Sequence, residues 1–489
     1  ISFDDDTLAR IEVAVQGSTS RWASFLGGEA ENVVRLRGGL RIGEATPEPV
    51  AAPVVAAAAE RQPDILIYLV DTLRADRLGL YGYDRPTSPR LDAFARDAVT
   101  FTEARAQTSW TRTAVVSMFT GLYPPSHGVE LRDDGLPAEV VTLAERLKAA
   151  GYQTVGMTTN GNVSAQFGLA QGFDIYQHVL ESRQRLEVHR LADHVEEWVA
   201  TWLGGEDLDA PDRPPFLLYA HATDPHSPYT PREPFRSRFA PDADPTLGHL
   251  DTVRDIVTGQ RPAGEDEARQ LSDLYDAEIA FTDHYFGALL DRLRDLGLYD
   301  DMIIVFVSDH GEEFFEHEGW EHGRTLYDEQ LRVPLVVKLP GGEGGGLRLA
   351  GRAGHVDIMP TLLDLLDLPP GDAIDGQSLV PAIRTTAEEQ AGGALQLAYL
   401  KLEDQRLRSL ADGQLKMIED WFGPDYLFDV AADPTETVDL SAERAIRAGY
   451  LKQRLRRLTL DLERDQRQAD VVEIDPETRE QLEALGYIQ

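Results

Sequence analysis

Cysteine is absent from the 489 residues, which excludes disulfides, thiolate zinc sites and a cysteine nucleophile. Basic residues are scarce as well: 47 Lys and Arg stand against 84 Asp and Glu, a formal net charge of −37. Such a chain offers no basic face to nucleic acid or anionic lipid, both of which are bound by counterion release. An anionic substrate must therefore be attracted locally, by metal ions or a few arginines. No run reaches the roughly 18 apolar residues of a membrane span, and no leader with a basic start and apolar middle is visible. The first residue is Ile1 rather than Met, so a processed or trimmed form is expected, with a periplasmic or extracellular location.

What is present is enough for one large domain and a smaller one. Residues 1–43 alternate short apolar and polar stretches with glycines and read as a β-rich N-terminal extension. Residues 44–62 are rich in Ala and Pro and read as a linker. From 63 to 393, strand-length apolar runs (Asp64–Val70, Gln153–Met157, Phe216–His221, Met302–Ser308, Pro334–Leu339) are separated by helical periodicity. The helical segments are Leu91–Val99, Val140–Ala150, Val188–Leu203, Glu265–Leu296 and Ile358–Leu366. Runs apolar on both faces, alternating with helices, predict an α/β sandwich around a central, mostly parallel sheet. Residues 394–489 change character. Short strands (Leu395–Leu400, Arg406–Leu410, Leu415–Glu419) and a charged helix from Ser441 to about Gln466 predict a small antiparallel α+β subdomain.

Ligands of such sheets gather at the carboxyl ends of the strands. The run ILIYLVD ends in Asp71, and MIIVFVS continues into Asp309-His310-Gly311-Glu312. A carboxylate beside an imidazole suits zinc or manganese, whereas an all-oxygen set would favour calcium or magnesium. Between these ends, in the segment from Ser109 to Gly121, Thr111 precedes an apolar helical turn. A hydroxyl there sits at a helix N-terminus, where N–H groups and the dipole favour an anion in transfer. A further strand end carries His221-Ala222-Thr223-Asp224-Pro225-His226-Ser227-Pro228-Tyr229.

The ordered signatures VDTLRADRLGLYGY, a Trp-Thr pair with Thr111 ten residues before the Gly of FTGLYPPSHG, SDHGEEF, RTLYDEQLRVPLVVKLPG, GHVDIMPTLLDLL and YLFDVAADPTETVDL resemble the sulfatase-like branch of the alkaline phosphatase superfamily. The resemblance runs from about Asp64 to the C-terminus. It implies an alkaline-phosphatase-like sandwich, a divalent cation on the residues matching Asp71, Asp309 and His310, and a nucleophile at Thr111. It departs from true sulfatases at the Cys/Ser-x-Pro-x-Arg motif, where this chain has Thr111, Thr113 and Val115. Formylglycine cannot be made from threonine. The site is instead similar to that of threonine-type relatives acting on phosphoesters: nucleotide pyrophosphatase/phosphodiesterases, phosphoethanolamine transferases and lipoteichoic acid synthases.

The resemblance also implies that His226 contacts the substrate or leaving group, and that His322 falls where sulfatases place a lysine and two-metal phosphodiesterases a zinc-binding His. Asp224, His226 and His322 are thus candidates for a second metal site, with Thr111 a further ligand of the first. The alternative is that His226 and His322 only bind the ester. Arg112 is a candidate clamp for an anionic oxygen, and Asn160 in TTNGNVS a candidate substrate contact set against a plain turn residue. His317 reads as an exposed loop residue, while His127 and His355 read as structural. The expected activity is hydrolysis of a phosphate mono- or diester, or a phosphonate ester, through Thr111 with one or two divalent ions. Its substrate would be an anionic ester of a small molecule, a glycan or a lipid headgroup. The rivals are sulfate-ester hydrolysis, phosphoryl transfer to an alcohol, and an inactive binding module.

Overall fold

All six side chains of Ile65–Val70 are buried. Ile65, Ile67 and Leu69 join one apolar cluster, whereas Leu66, Tyr68 and Val70 join another. Successive strand residues point to opposite faces, so such a strand must lie mid-sheet with cover on both sides. In the computed structural model, which describes residues 61–178, 213–371, 374–385, 395–464 and 466–484, it does. The main sheet has eight described strands: β1 Ile65–Val70, β2 Val99–Arg105, β3 Gln153–Thr158, β4 Ile175–His178, β5 Phe216–Ala222, β6 Ile303–Ser308, β7 Leu335–Lys338 and β8 Arg348–Gly354. Their order is β8-β2-β7-β6-β1-β5-β3-β4. β1 is parallel to both β5 and β6, which brings Asp71, the end of β5 and Asp309 to one edge of the sheet.

The mostly parallel sandwich expected from the sequence is therefore present, with two corrections. β7 runs antiparallel to both β6 and β2. The helical pattern assigned to Leu91–Val99 ends early: α1 covers Pro89–Phe94, and Val99 opens β2. The sequence VTFTEAR alternates β-branched and aromatic residues in strand fashion, and the periodicity of the helix before it concealed that change. β8, glycine-rich and half exposed at its start, had no apolar run to announce it.

The helices that bear on the site are α2 Thr111–Thr120, α3 Leu143–Ala149, α4 Leu250–Val257, α5 Glu265–Asp295 and α6 Ile358–Leu365. In the C-terminal part, strands β9 Gln396–Leu402, β10 Gln405–Ala411, β11 Leu415–Asp420 and β12 Tyr426–Asp429 form an antiparallel sheet. Helix α7, Ala445–Glu463, packs on it through Leu451 and Leu455, and α8, Pro476–Ala484, follows. Lys416 on β11 joins this part to the main-sheet part, with Nζ 2.7 Å from Asp328 Oδ1 and 2.9 Å from Glu436 Oε1. Arg105, at the end of β2, grips the same Asp328 at 2.6 and 2.9 Å. Burial opposes the charge of Asp328, yet Arg105 and Lys416 hold its carboxyl well below the ordinary range. The described residues fall in one compact unit.

No described helix is long and apolar enough to cross a membrane. The expected N-terminal extension, the linker as far as residue 60 and the whole of the expected Val188–Leu203 helix, which falls within 179–212, lie outside the described residues.

Candidate active site

β1 ends at Val70, and the chain turns sharply through Thr72, which has φ 55°. A β-branched residue in the left-handed region costs roughly 1–2 kcal/mol. Hydrogen bonds on every side hold it there: Thr72 N donates to Asp309 Oδ1 at 3.0 Å, Leu73 N to Ser308 Oγ at 2.8 Å, and the Tyr275 hydroxyl to Thr72 O at 2.6 Å. The turn leaves Asp71 fully buried beside Asp309 and His310. One ligand-type atom from each of the three lies within 4.8 Å of the others.

The hydrogen bonds define the imidazole. His310 Nδ1 lies 2.9 Å from Gly311 O, and a carbonyl only accepts, so Nδ1 carries the proton and Nε2 the lone pair. Nε2 then accepts from the Thr111 hydroxyl at 3.1 Å. Burial pushes the His310 imidazole down to about 3, which keeps it neutral, the form that binds metals. Burial, followed by the charge of Asp71, raises the Asp309 carboxyl to about 6.

Asp309 Oδ2 is the atom that tests whether a cation fits. It is buried with no hydrogen-bond donor among the described residues, and it lies 3.5 Å from His310 Nε2. A buried carboxylate oxygen without a donor is costly unless a cation answers it. Two carboxylates and a neutral imidazole are the donor set of a zinc- or manganese-type ion. The residues present therefore fit a divalent cation held by Asp71, Asp309 and His310.

Thr111 opens α2, all ten residues of which are buried. The nucleophile candidate thus stands at the N-terminus of a helix packed on every side, a place that favours anions. Behind Asp71 lie two further groups. The Asn160 amide donates to Asp71 Oδ2, and His221 Nε2 lies 3.5 Å from the same oxygen. Asn160 also caps the next turn by accepting from Asn162 N at 2.8 Å. Its side-chain contacts thus orient Asp71 and the turn.

His221 is a residue that sequence reasoning left without a role. The signal was its register: it lies opposite Leu69 on the strand beside the one that delivers Asp71. Glu312 is another. Its Oε1 is 2.9 Å from His322 Nδ1, and its Oε2 accepts from the Tyr229 hydroxyl at 2.9 Å. His322 is thereby oriented next to His310, with ring centroids 4.3 Å apart, and next to His226 at 4.9 Å. His226 Nδ1 faces Ser227 O at 2.7 Å. Together with Trp110, the neighbour of Thr111, His226 and His322 line a cleft of about 570 Å³.

Three expectations need correction. Asp224 does not join His226 and His322 at metal-ligand spacing; it lies toward Tyr68 and Thr282 on the α5 side, where its charge raises the Tyr68 phenol after burial does and its carbonyl accepts from Thr282 Oγ1 at 3.3 Å. Among the described residues, the strand ends therefore gather one metal-type group. Arg112 is buried, donating to Asn162 O at 2.9 Å, Asn162 Oδ1 at 2.6 Å, Asp134 O at 3.1 Å and Arg132 O, with its guanidinium 3.3 Å from the Phe167 ring centre. These donors bind the scaffold and not an anionic oxygen. His317 is no exposed loop residue: it stacks on Tyr327 at 3.6 Å and bonds Glu329 Oε1 at 2.8 Å. It also forms a second acidic group with Glu313 and Glu329. His127 and His355 are buried and hydrogen-bonded to Ser117 Oγ and Ser308 O respectively.

Residues 63–368 match the family described as Sulfatase, and 316–463 match that described as N-sulphoglucosamine sulphohydrolase, C-terminal. The chain is 28% identical to the ulvan-active sulfatase of Formosa agariphila, over 78% of this chain and 77% of that one. It is 24% identical to the multifunctional alkaline phosphatase superfamily protein PehA of Trinickia caryophylli, over 79% and 92% respectively. Its fold is similar to that of the phosphonate monoester hydrolase of Agrobacterium radiobacter, with a TM-score of 0.67 at 23% identity, covering 81% of this chain and 96% of that one. With more than half its length matched, the chain belongs to the sulfatase family.

Proposed function

We propose that the chain hydrolyses phosphate mono- or diesters, or phosphonate esters, with Thr111 as nucleophile. The observation that carries this reading is the Thr111 hydroxyl, 3.1 Å from His310 Nε2 in the Asp71–Asp309–His310 group. A divalent cation on those three residues would supply positive charge for the ester oxygens and lower the pKa of the attacking hydroxyl. The chain's own residues do the rest. As Thr111 Oγ1 bonds to phosphorus its proton passes to water, and the bond to the leaving oxygen breaks. Burial raises the Glu312 carboxyl to about 8 and keeps the His322 ring neutral, so Glu312 donates its proton to Nδ1 and His322 hands its Nε2 proton to that oxygen, taking the Glu312 proton in return; His226 orients the leaving group. Water then cleaves the phospho-threonine.

Hydrolysis of sulfate esters is the second reading, favoured by the ulvan-active sulfatase among the relatives. A test separates them: aryl phosphate monoester, phosphodiester, phosphonate and sulfate substrates are offered to metal-loaded wild type and Thr111→Ala. Turnover of phosphorus esters that falls at least about a thousandfold in Thr111→Ala supports the first reading. Thr111-dependent turnover of sulfate alone would replace it with the second, and turnover indifferent to Thr111 would remove the nucleophile.

A further inference from the structure

Around the cleft, local charge runs against that of the chain as a whole. Arg132, Arg254, Arg324 and Arg479 all line it, in a chain of net charge −37. Two of them are already committed, Arg132 to Glu403 and Arg254 to Asp251, each at 2.6 Å. Arg324 and Arg479 are different. Neither has a carboxylate within ion-pair distance among the described residues, although Glu321 and Glu483 line the same cleft.

The two cations come from separate elements. Arg324 follows His322 by two residues, beyond Gly323, whose φ of 74° is open to glycine and whose Cα face lies against Trp110 and Leu402. An added Cβ there would stand 3.2 Å from both side chains, so the turn that exposes Arg324 depends on glycine. Arg479 stands on α8, exposed, in the C-terminal part. The ester under attack would find its cation deeper in, on the Asp71–Asp309–His310 group. Guanidiniums at the cleft with no ion-pair partner among the described residues focus attraction for anions where the rest of the surface repels them.

Resting on the ester-hydrolase reading above, we propose that Arg324 and Arg479 bind a second anionic group of the substrate, a carboxylate or a further sulfate or phosphate, carried on the part that leaves. The cleft, at about 570 Å³, suits a leaving group of sugar or nucleotide size. Leu250, Val257 and Leu402 give it an apolar wall.

The experiment uses the metal-loaded full chain and three probes: the 2-O-phosphate ester of methyl glucoside, that of methyl glucuronide, and the 2,6-bisphosphate of methyl glucoside, with the matching sulfates alongside. A charged probe should exceed the neutral one in kcat/KM by about three- to tenfold, the scale of two exposed ion pairs together. That ratio should fall toward one in Arg324→Gln and Arg479→Gln, return in part in Arg324→Lys, and shrink with salt. Preference for the glucuronide identifies a carboxylate, and preference for the bis-ester identifies a second phosphate or sulfate. Equal turnover of charged and neutral probes by wild type overturns the second-anion site and leaves the hydrolase reading intact. If no ester turns over, calorimetric binding of the same probes to Thr111→Ala decides the matter: tighter binding of a charged probe, lost in the arginine variants, sustains the subsite, and equal binding ends it.

Discussion

The Glu312 carboxyl group lies 2.9 Å from His322 Nδ1 while accepting from the Tyr229 hydroxyl on its other oxygen. A ring fixed in this way presents Nε2 in one direction, and that direction is what proton delivery to a leaving group requires.

Glu312→Gln should therefore lower kcat ten- to hundredfold with little change in KM. His322→Ala should cost at least as much, and the double variant no more than His322→Ala alone. The measurement is a double-mutant cycle on an ester with a poor leaving group; additive losses would show that the two side chains act separately.

Asp309→Asn addresses the metal directly. Removing a buried charge that has no donor on Oδ2 should leave the metal-free protein at least as stable, by about 0–2 kcal/mol in urea. The same change should abolish the rise in melting temperature that zinc or manganese gives wild type. Retained metal stoichiometry in Asp309→Asn would remove it from the ligand set.

Arg112 behaves as scaffold. Arg112→Met strands the carbonyls of Asn162 and Asp134, and a loss of about 3 kcal/mol is expected. Arg112→Lys should recover little, because a single ammonium cannot span the same fork of acceptors. A raised KM with unaltered stability would instead return Arg112 to the substrate.

His317 gives the fold a pH dependence. Burial works against its charge, but the hydrogen bond to Glu329 and that carboxylate's charge raise it to about 9. A histidine raised from 6.5 stabilises the fold fully below pH 6.5, and the contribution disappears as pH climbs through 9. Stability measured from pH 6 to 9.5 should fall across that window in wild type and stay flatter in His317→Gln; parallel curves would contradict the ion pair.

Strand ends and spacing made much of this legible. A carboxylate closing an all-apolar run, as Asp71 and Asp309-His310 do, can be read because burial on both faces fixes where the strand stops. The partner of His322 could not be read, because Glu312 and His322 meet only once the loop between them folds back. Arg112 misled for a related reason. Adjacency to Thr111 in sequence says nothing about direction on a helix, where neighbours point about 100° apart. Asp224 shared a motif with His226, yet the chain sends the two side chains to different surroundings.

Asp328 accepts from Arg105 of the large sheet and from Lys416 of the small one. A chain shortened before residue 395 would bury that carboxylate with half its counter-charge, and an exchange of C-terminal sheets between relatives would succeed only where the incoming piece brought its own lysine to the same spot. The border that looks most convenient for recombination is thus one that both halves must inherit together.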